Sequence, residues 1–265
     1  MIRRILKALG IGVLVYLLLC AGLYIWQDKI LFQPKSLTPD YSFSFAQPVK
    51  EYFIPTEDGN RLHALFFHSP LPNRGLVLYF HGNADNLQRW GEYASDFTNL
   101  GYDVLMLEYR GYGKSSGMPN KEDFYSDAEW FQAWAQKNIP YPRLIIYGRS
   151  MGSAVASHLA SVVPPDLLIL ETPFDEIKTV HPLLRMFFLF PPRNNFSNKE
   201  NLSKVTCRKV LIHGTSDWIV PISSALRLKP LLSETDQLVV IEGGGHKNLR
   251  DFDLYHQTLK QALTE

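Results

Sequence analysis

The stretch LIIYGRSMGSAVASHLASV, residues 144–162, decides the predicted fold. Its first four residues are apolar and typical of a buried strand, and residues 150–162 predict a helix. Between them, GRSMG at 148–152 matches the pattern G-x-S-x-G. A strand, this pentapeptide and a helix in that order indicate a sharp turn that exposes the Ser150 hydroxyl as a candidate nucleophile. The alternative is an ordinary glycine turn in which Ser150 only caps the helix.

Strand-like and helix-like segments alternate around this stretch. Residues 49–54 and 62–67 predict an antiparallel hairpin around Asp58-Gly59. Further strands are predicted at 75–80, 103–107, 144–147, 167–170, 210–213 and 238–241, and helices at about 87–100, 121–137, 150–162, 223–231 and 248–263. This alternation indicates a mostly parallel sheet of eight strands with helices on both faces. A functional site is expected at the carboxyl ends of the strands.

The first 26 residues differ in kind from the rest. Arg3, Arg4 and Lys7 precede ALGIGVLVYLLLCAGLYIW, residues 8–26, which contains no charged residue. About 20 apolar residues match the hydrocarbon core of a bilayer. The basic residues predict that the N-terminus stays in the cytoplasm and that the domain lies on the other side, the periplasmic face of the inner membrane if the source is bacterial.

Other interpretations of this N-terminal segment are less consistent with its sequence. A cleaved signal peptide would need a small-residue cleavage site after a shorter apolar core, and none is evident. A lipoprotein signal would place a small residue before Cys20, where Leu19 stands. A buried helix would have to hide apolar surface on all its faces. We expect a retained signal-anchor helix at 1–26, a linker at 27–48 that packs on the domain, and a catalytic domain at 49–265.

Ser150 needs a base, and few residues can supply it. In folds of this kind the order along the chain is Ser, then Asp or Glu, then His. His246 follows three glycines after the last predicted strand, whereas His256 lies within the last predicted helix, where a solvated face is expected. Asp217, in the loop after strand 210–213, would orient His246 and stabilise its imidazolium. Asp175 is the alternative acid, and His213 is expected only to pack at a strand end.

Two backbone amides are expected to complete the site, because acyl transfer needs N–H groups aimed at the developing oxyanion. Met151, directly after Ser150, is predicted to supply one. Asn83, in the HGNA loop after strand 75–80, is predicted to supply the other. His81 in that loop is expected to be structural. The alternative for the loop is a turn that only caps the next helix.

Several classes of function are excluded or not indicated. The formal net charge of +1 and the lack of a basic block predict no nucleic-acid partner. Cys20 and Cys207 form neither a disulfide framework nor a metal-ligand pattern. The GKS triplet at 113–115 is not part of a P-loop, because Glu108 stands where the first glycine would be. No cofactor or metal is predicted.

An irregular insertion at about 172–204 predicts a short lid. Its aromatic run at 187–190 is too short to span a bilayer. Packing is the expected role of these aromatic residues, and lining an acyl pocket or contacting the membrane are the alternatives. The sequence identifies no substrate-binding residues, and it does not predict the acyl-chain preference or the oligomeric state.

Five motifs follow one another along the chain: HGNADN, EYRGYGKSSG, YGRSMGS, HGTSDWIVP and GGGH. With them, almost everything after the anchor resembles the α/β-hydrolase superfamily, and within it the Bem46-type branch, which includes membrane-anchored hydrolases and protein depalmitoylases. The resemblance implies an α/β-hydrolase fold with Ser150, Asp217 and His246 as triad. We expect hydrolysis of a carboxylic ester or thioester. A serine peptidase, an acyltransferase and a non-catalytic membrane scaffold are the alternatives.

Overall fold

The computed structural model describes residues 1–180 and 192–264. Its strands are β1 (Gln33–Pro34), β2 (Val49–Pro55), β3 (Arg61–Phe67), β4 (Gly75–Phe80), β5 (Ala84–Asp85), β6 (Tyr102–Glu108), β7 (Leu144–Arg149), β8 (Leu167–Glu171), β9 (Arg208–Gly214) and β10 (Gln237–Ile241). Its α-helices are α1 (Ile2–Leu31), α2 (Leu87–Trp90), α3 (Ser95–Thr98), α4 (Lys121–Asn138), α5 (Met151–Val162), α6 (Ile177–Val180), α7 (Asn198–Leu202), α8 (Ile222–Leu228) and α9 (Asp253–Thr264). Single 3₁₀ turns lie at Gly91–Tyr93, Lys229–Leu231 and Leu249–Asp251.

In the described part of the chain, the main sheet has eight strands in the order β10-β9-β8-β7-β4-β6-β3-β2. Strand β3 runs antiparallel to both of its neighbours, β2 and β6, and the remaining pairs are parallel. The predicted hairpin and the mostly parallel eight-stranded sheet are therefore confirmed. Strands β4 and β7 are central and buried along their whole length, as expected of continuous apolar runs.

Helices cover both faces of the sheet. On one face, Phe124 and Phe131 of α4 pack with α5 against the central strands. On the other face, Phe97 of α3 and Tyr255 of α9 belong to a second apolar cluster. Each layer buries the apolar stripe of its helices, which is the main contribution to stability in a fold of this class. The carboxyl ends of the parallel strands are left free to carry loops.

The single helix predicted at 87–100 is wrong, since the structure has α2, a 3₁₀ turn and α3 in its place. Gly91 stands at the first junction, and glycine is unfavourable in a helix interior. The linker also contacts this point, because a Cβ added at Gly91 would lie 2.4 Å from Cζ of Phe45. The helix gives way to a 3₁₀ turn at the point where Phe45 packs.

The first helix is longer than the uncharged stretch at 8–26. It extends to Leu31 and is long and apolar enough to cross a membrane, by length and composition. After it, the linker lies along the domain, where Phe43 stacks on His63 at a centroid distance of 5.3 Å and Phe45 packs on Phe67 at 5.2 Å. The middle of the predicted lid, including the aromatic run at 187–190, lies outside the described residues, whereas α6 and α7 lie within its two ends.

Candidate active site

The turn between β7 and α5 holds Ser150 in an uncommon conformation. Its φ is +53° and its ψ is −118°, a region that L-residues seldom occupy and that costs on the order of 1–3 kcal/mol. Hydrogen bonds on both sides hold the turn, because Ser150 N donates to the Glu171 carbonyl at 2.9 Å and Ser153 N donates to the Ser150 carbonyl at 2.9 Å. The strained residue is thus fixed by the neighbouring strand and by its own helix.

Both glycines of the G-x-S-x-G motif are required by close backbone packing. A Cβ at Gly148 would lie 2.3 Å from the carbonyl oxygen of Gly152. A Cβ at Gly152 would lie 2.1 Å from the carbonyl oxygen of Phe80, at the end of β4. The start of α5 therefore lies directly against the two central strands. This approach presents the Ser150 side chain above the carboxyl edge of the sheet, as the motif predicts.

Three side chains that are far apart in the sequence meet at this edge. His246 Nε2 lies 3.0 Å from Ser150 Oγ, and His246 Nδ1 lies 2.7 Å from Asp217 Oδ2. With its Nδ1–H donated to Asp217, His246 presents Nε2 as the acceptor for the serine hydroxyl. The arrangement can accept a proton from Oγ and stabilise the resulting imidazolium with a carboxylate.

The Asp217 carboxylate is buried and heavily hydrogen-bonded. Its Oδ1 accepts the main-chain N–H groups of Ile219 at 2.9 Å and Val220 at 2.8 Å. Burial by itself would raise the pKa of Asp217, but hydrogen bonds from His213 and His246 and from the Val220 amide outweigh it and hold this pKa well below its usual range. Asp217 is therefore an anion at neutral pH, fixed in position by its own loop.

His213 packs at the end of β9 as predicted, but it also contacts the acid. Its ring is fully buried, with Nε2 at 2.8 Å from the Val220 carbonyl and 3.4 Å from Asp217 Oδ2. The spacing of four residues between His213 and Asp217 was the only sequence signal of this contact. The structure thus adds a residue that supports the loop carrying the candidate acid.

The alternative acid, Asp175, and the alternative base, His256, have other partners in the structure. Asp175 forms an ion pair with Arg227, with Nε and Oδ2 at 2.6 Å, and accepts a hydrogen bond from Thr179. His256 is exposed on α9, where its Nε2 lies 2.8 Å from the Arg250 carbonyl. Among these histidines and carboxylates, the structure brings His246 and Asp217 to Ser150.

The two predicted amide donors lie at the same cavity as Ser150. Met151 and Asn83 both line it, together with His246. The Asn83 side chain is held in place, because its Oδ1 accepts the Tyr112 hydroxyl at 3.1 Å and the Gln33 amide at 3.3 Å.

His81, expected to be structural, is fully buried beside the cavity. Its Nδ1 lies 2.7 Å from the Gly82 carbonyl, and its Nε2 lies 3.3 Å from Glu108 Oε1. Burial raises the pKa of Glu108, even though the contact with His81 opposes this shift. This buried pair supports the loop that carries Asn83.

Arg149, the residue before the candidate nucleophile, is a site residue that the motif did not reveal. Its side chain is only 2% exposed, and its guanidinium lies over the Tyr93 ring at 4.6 Å. Its Nε lies 3.2 Å from Glu171 Oε1, and its Nη2 donates to the main-chain carbonyl of His246 at 2.9 Å. The only signal in the sequence is a charged residue at the end of an otherwise apolar strand.

A cavity of about 460 Å³ opens beside Ser150, a volume typical of small-molecule sites. Most of its wall is apolar. Its larger aliphatic, aromatic and proline residues come from α1, from α2, from both ends of the predicted lid and from the loop after β9: Leu23, Ile30, Leu31, Trp90, Phe174, Ile177, Val180, Pro192, Trp218, Ile219 and Val220. Among the described lining residues there is no aspartate or glutamate, whereas Arg89, Lys178 and Lys247 are present.

Comparison with known proteins places this fold in one class. The family model described as Serine aminopeptidase, S33, matches residues 72–194, which include the Asn83 loop and the serine turn. Together with the fold, this match defines a hydrolase of the α/β type. The chain belongs to the α/β-hydrolase superfamily.

Individual relatives extend the similarity over most of the chain. The chain is 32% identical over 258 residues to the uncharacterized protein Rv2307c of Mycobacterium tuberculosis, covering 92% of this chain and 90% of that protein. It is 28% identical over 232 residues to human alpha/beta hydrolase domain-containing protein 17B, covering 85% and 78%. Its fold is similar to that of the Pyrococcus furiosus esterase Pf2001, with a TM-score of 0.68, 19% identity and coverage of 88% and 98%.

Proposed function

We propose that the protein is a serine hydrolase that cleaves a carboxylic ester or thioester through an acyl-enzyme on Ser150. The observation that carries this proposal is the continuous chain of hydrogen bonds from Asp217 through His246 to Ser150 Oγ. A serine hydroxyl is a weak nucleophile unless a base takes its proton, and this chain supplies a base with an oriented ring. Membership of the Bem46-type branch is part of the proposal and is supported by the five ordered motifs.

The proposed reaction has two steps. Ser150 Oγ attacks the acyl carbon while His246 Nε2 takes its proton, and the main-chain N–H groups of Asn83 and Met151 stabilise the tetrahedral oxyanion. His246 then protonates the leaving alcohol or thiol, and the acyl-enzyme forms. A water molecule, deprotonated by His246, then attacks the acyl carbon, the bond to Ser150 Oγ breaks as His246 returns the proton to this oxygen, and the acid is released. Each amide donor is expected to contribute about 3 kcal/mol to the transition state.

The lining of the cavity favours an uncharged acyl chain over an amino-terminal residue. An aminopeptidase must bind the α-ammonium group of its substrate, and a carboxylate is the usual partner for that group. No carboxylate is found among the described lining residues, and the cationic side chains there would repel an ammonium ion. Peptidase activity remains the second candidate because of the description of the matching family model. Transfer of the acyl group to an alcohol would use the same atoms.

A fluorophosphonate probe tests the proposal. We expect covalent labelling of the full-length protein in detergent, and loss of that labelling in Ser150→Ala. Labelling that persists in Ser150→Ala would reject the nucleophile, and a wild-type protein that is never labelled would favour a non-catalytic scaffold. A panel of p-nitrophenyl acyl esters and thioesters beside aminoacyl p-nitroanilides then separates esterase from peptidase. The esters should be turned over and the anilides should not.

The N-terminal helix supports a membrane anchor as part of the same proposal. We propose that α1 is retained and that the catalytic domain lies on the non-cytoplasmic side, the periplasmic face of the inner membrane in a bacterium. The basic residues before the apolar stretch support this orientation. Protease added to sealed right-side-out vesicles should digest the domain and leave a cytoplasmic marker intact. Protection of the domain would reverse the proposed topology.

A further inference from the structure

We propose that the last turns of α1 form one wall of the acyl-binding cavity, so that acyl esters dissolved in the bilayer enter the site laterally along this helix. The proposal rests on the proposed function and adds the class of substrate: amphiphiles with a long acyl chain in the membrane and an ester or thioester at its surface. The helix is then a substrate-binding element as well as an anchor.

One face of α1 reaches the site. Leu23, Gln27, Ile30 and Leu31 line the cavity that also contains Ser150. Their spacing of three to four residues places them on one side of a helix. By contrast, Ile25 on the opposite side is 65% exposed. A helix that served only as a tether would have no need to present one face to the cavity.

The end of α1 is fixed to the domain by polar contacts. Gln27 Oε1 accepts the Arg193 amide at 2.8 Å, and Asn194 Nδ2 donates to Asp28 Oδ1 at 2.7 Å. Arg193 Nη2 also pairs with Asp28 Oδ2 at 3.1 Å. Just beyond the helix, Phe32 packs edge-on against Phe124 of α4 at 5.3 Å. The position of α1 relative to the site is therefore set by the fold.

The length of α1 places the cavity at the bilayer surface. The uncharged stretch at 8–26 spans about 29 Å at ~1.5 Å per residue, which matches the ~30 Å hydrocarbon core. Leu23 then lies about 5 Å inside the core, and Ile30 lies about 6 Å beyond its edge, at the depth of the headgroups. The ester of a membrane amphiphile lies at this same boundary, with its acyl chain on the apolar side.

An exposed aromatic residue outside α1 lies at the same cavity. Trp218, next to Asp217, lines it and is 79% exposed. Large aromatic side chains with a polar N–H are favoured where the bilayer meets water. Trp218 and the last turns of α1 line the same cavity, so an exposed indole at this cavity agrees with an opening that faces the membrane.

The test is a change in chain-length selectivity with the full-length protein in phospholipid nanodiscs. Each methylene buried in the cavity is expected to raise kcat/KM about fourfold. Leu23→Trp shortens the space along α1, so the ratio of kcat/KM for p-nitrophenyl palmitate to kcat/KM for p-nitrophenyl butyrate should fall about fifteenfold, the effect of two lost methylenes. Ile25→Trp, on the opposite side, should leave both values unchanged.

A palmitate-to-butyrate ratio of kcat/KM that is the same in Leu23→Trp as in the wild type would overturn the proposal. This holds both when neither ester is affected and when both lose activity equally. If Leu23→Trp does not fold, Ile30→Trp serves in its place, because Ile30 is 48% exposed and has room for a larger side chain. The fluorophosphonate probe distinguishes the two proposals. If Leu23→Trp leaves the chain-length selectivity unchanged while the probe still labels Ser150, only the role of α1 is rejected. Labelling that survives Ser150→Ala would reject the proposed function itself.

Discussion

Arg149 Nη2 donates to the main-chain carbonyl of His246 at 2.9 Å, across 97 positions of sequence. The side chain next to the candidate nucleophile thus holds the loop that carries the candidate base. Glu171, at the end of β8, pairs with the same guanidinium at 3.2 Å. Burial by itself would lower the pKa of Arg149, but Glu171 and the neighbouring tyrosines together outweigh it and raise this pKa, so the side chain stays charged. The two sides of the proposed proton transfer are connected through one buried cation.

This contact makes Arg149 a positioning residue. Arg149→Lys keeps the charge beside Glu171 but loses the planar fork that reaches the His246 carbonyl. We expect kcat for p-nitrophenyl butyrate to fall about a hundredfold with KM unchanged, as for a base displaced by about 1 Å. Arg250→Lys is the matched control, because Arg250 lies over the same Tyr93 ring at 4.5 Å and pairs with Asp96. An unchanged kcat in Arg149→Lys, or an equal loss in Arg250→Lys, would contradict this role.

The Asp217 carboxylate should be essential for the tautomer of His246. In Asp217→Asn the ring can no longer donate Nδ1–H to an anion, and kcat should fall roughly 10⁴-fold while substrate binding persists. Steady-state kinetics measure this loss. Asp175→Asn, at the carboxylate that pairs with Arg227 instead, should keep the wild-type kcat. A large loss in Asp175→Asn with little loss in Asp217→Asn would reverse the assignment of the acid.

Protonation of the buried His63 ring should destabilise the fold at low pH. Burial lowers the pKa of His63 to about 4, although Glu51 Oε2 lies 3.0 Å from its Nε2. The unfolded chain takes up this proton near pH 6.5. The contribution of His63 to the free energy of unfolding is therefore fully present above about pH 6.5 and is lost as the pH falls to about 4, with a total of about 3 kcal/mol.

His63→Gln removes this titration and should flatten the fall of the melting temperature between pH 6.5 and 4. Thermal unfolding of the full-length protein in detergent, followed across this range, measures the slope. His256→Gln, at an exposed ring on α9, should leave the slope as it is. A wild-type slope in His63→Gln would mean that other groups account for acid unfolding.

The close packing behind the serine turn predicts a severe effect at Gly152. In Gly152→Ala the new methyl carbon would lie 2.1 Å from the Phe80 carbonyl oxygen, so the start of α5 must move away from β4. We expect loss of fluorophosphonate labelling together with a melting temperature at least several degrees lower. Gly12→Ala in α1, where a Cβ meets nothing within 4 Å, should change neither quantity. Normal labelling of Gly152→Ala would show that the turn tolerates this displacement.

Much of the fold could be predicted because its signals are local. The apolar run that became β4 and the strand, turn and helix around Ser150 could each be recognised within about 20 residues. The proximity of Asp217 and His246 to that serine followed from the order of loops on parallel strands. In contrast, the contact between Gly91, at the end of α2, and Phe45, a residue of the distant linker, lies outside any local pattern. Local periodicity cannot reveal such contacts.

The same limit explains what was missed in the site. Arg149 occupies a variable position of the G-x-S-x-G motif. Its partner, the main-chain carbonyl of His246, is distant in sequence and is brought near only by the fold. The uncharged stretch at 8–26 indicated a membrane helix, but not that the helix continues to Leu31 and lines the cavity. Hydropathy describes how a segment interacts with its solvent. It does not describe which face of the segment meets a second part of the same chain.

Locating the covalent adduct tests the proposed role of Ser150 most directly. The full-length protein, treated with a fluorophosphonate and digested with trypsin, should carry the added mass on the peptide that begins at Ser150, and fragmentation should place it on that serine. His246→Ala should abolish the adduct. An adduct at any other residue, or unchanged labelling without the imidazole, would contradict the proposed catalytic role of the Ser150, His246 and Asp217 side chains.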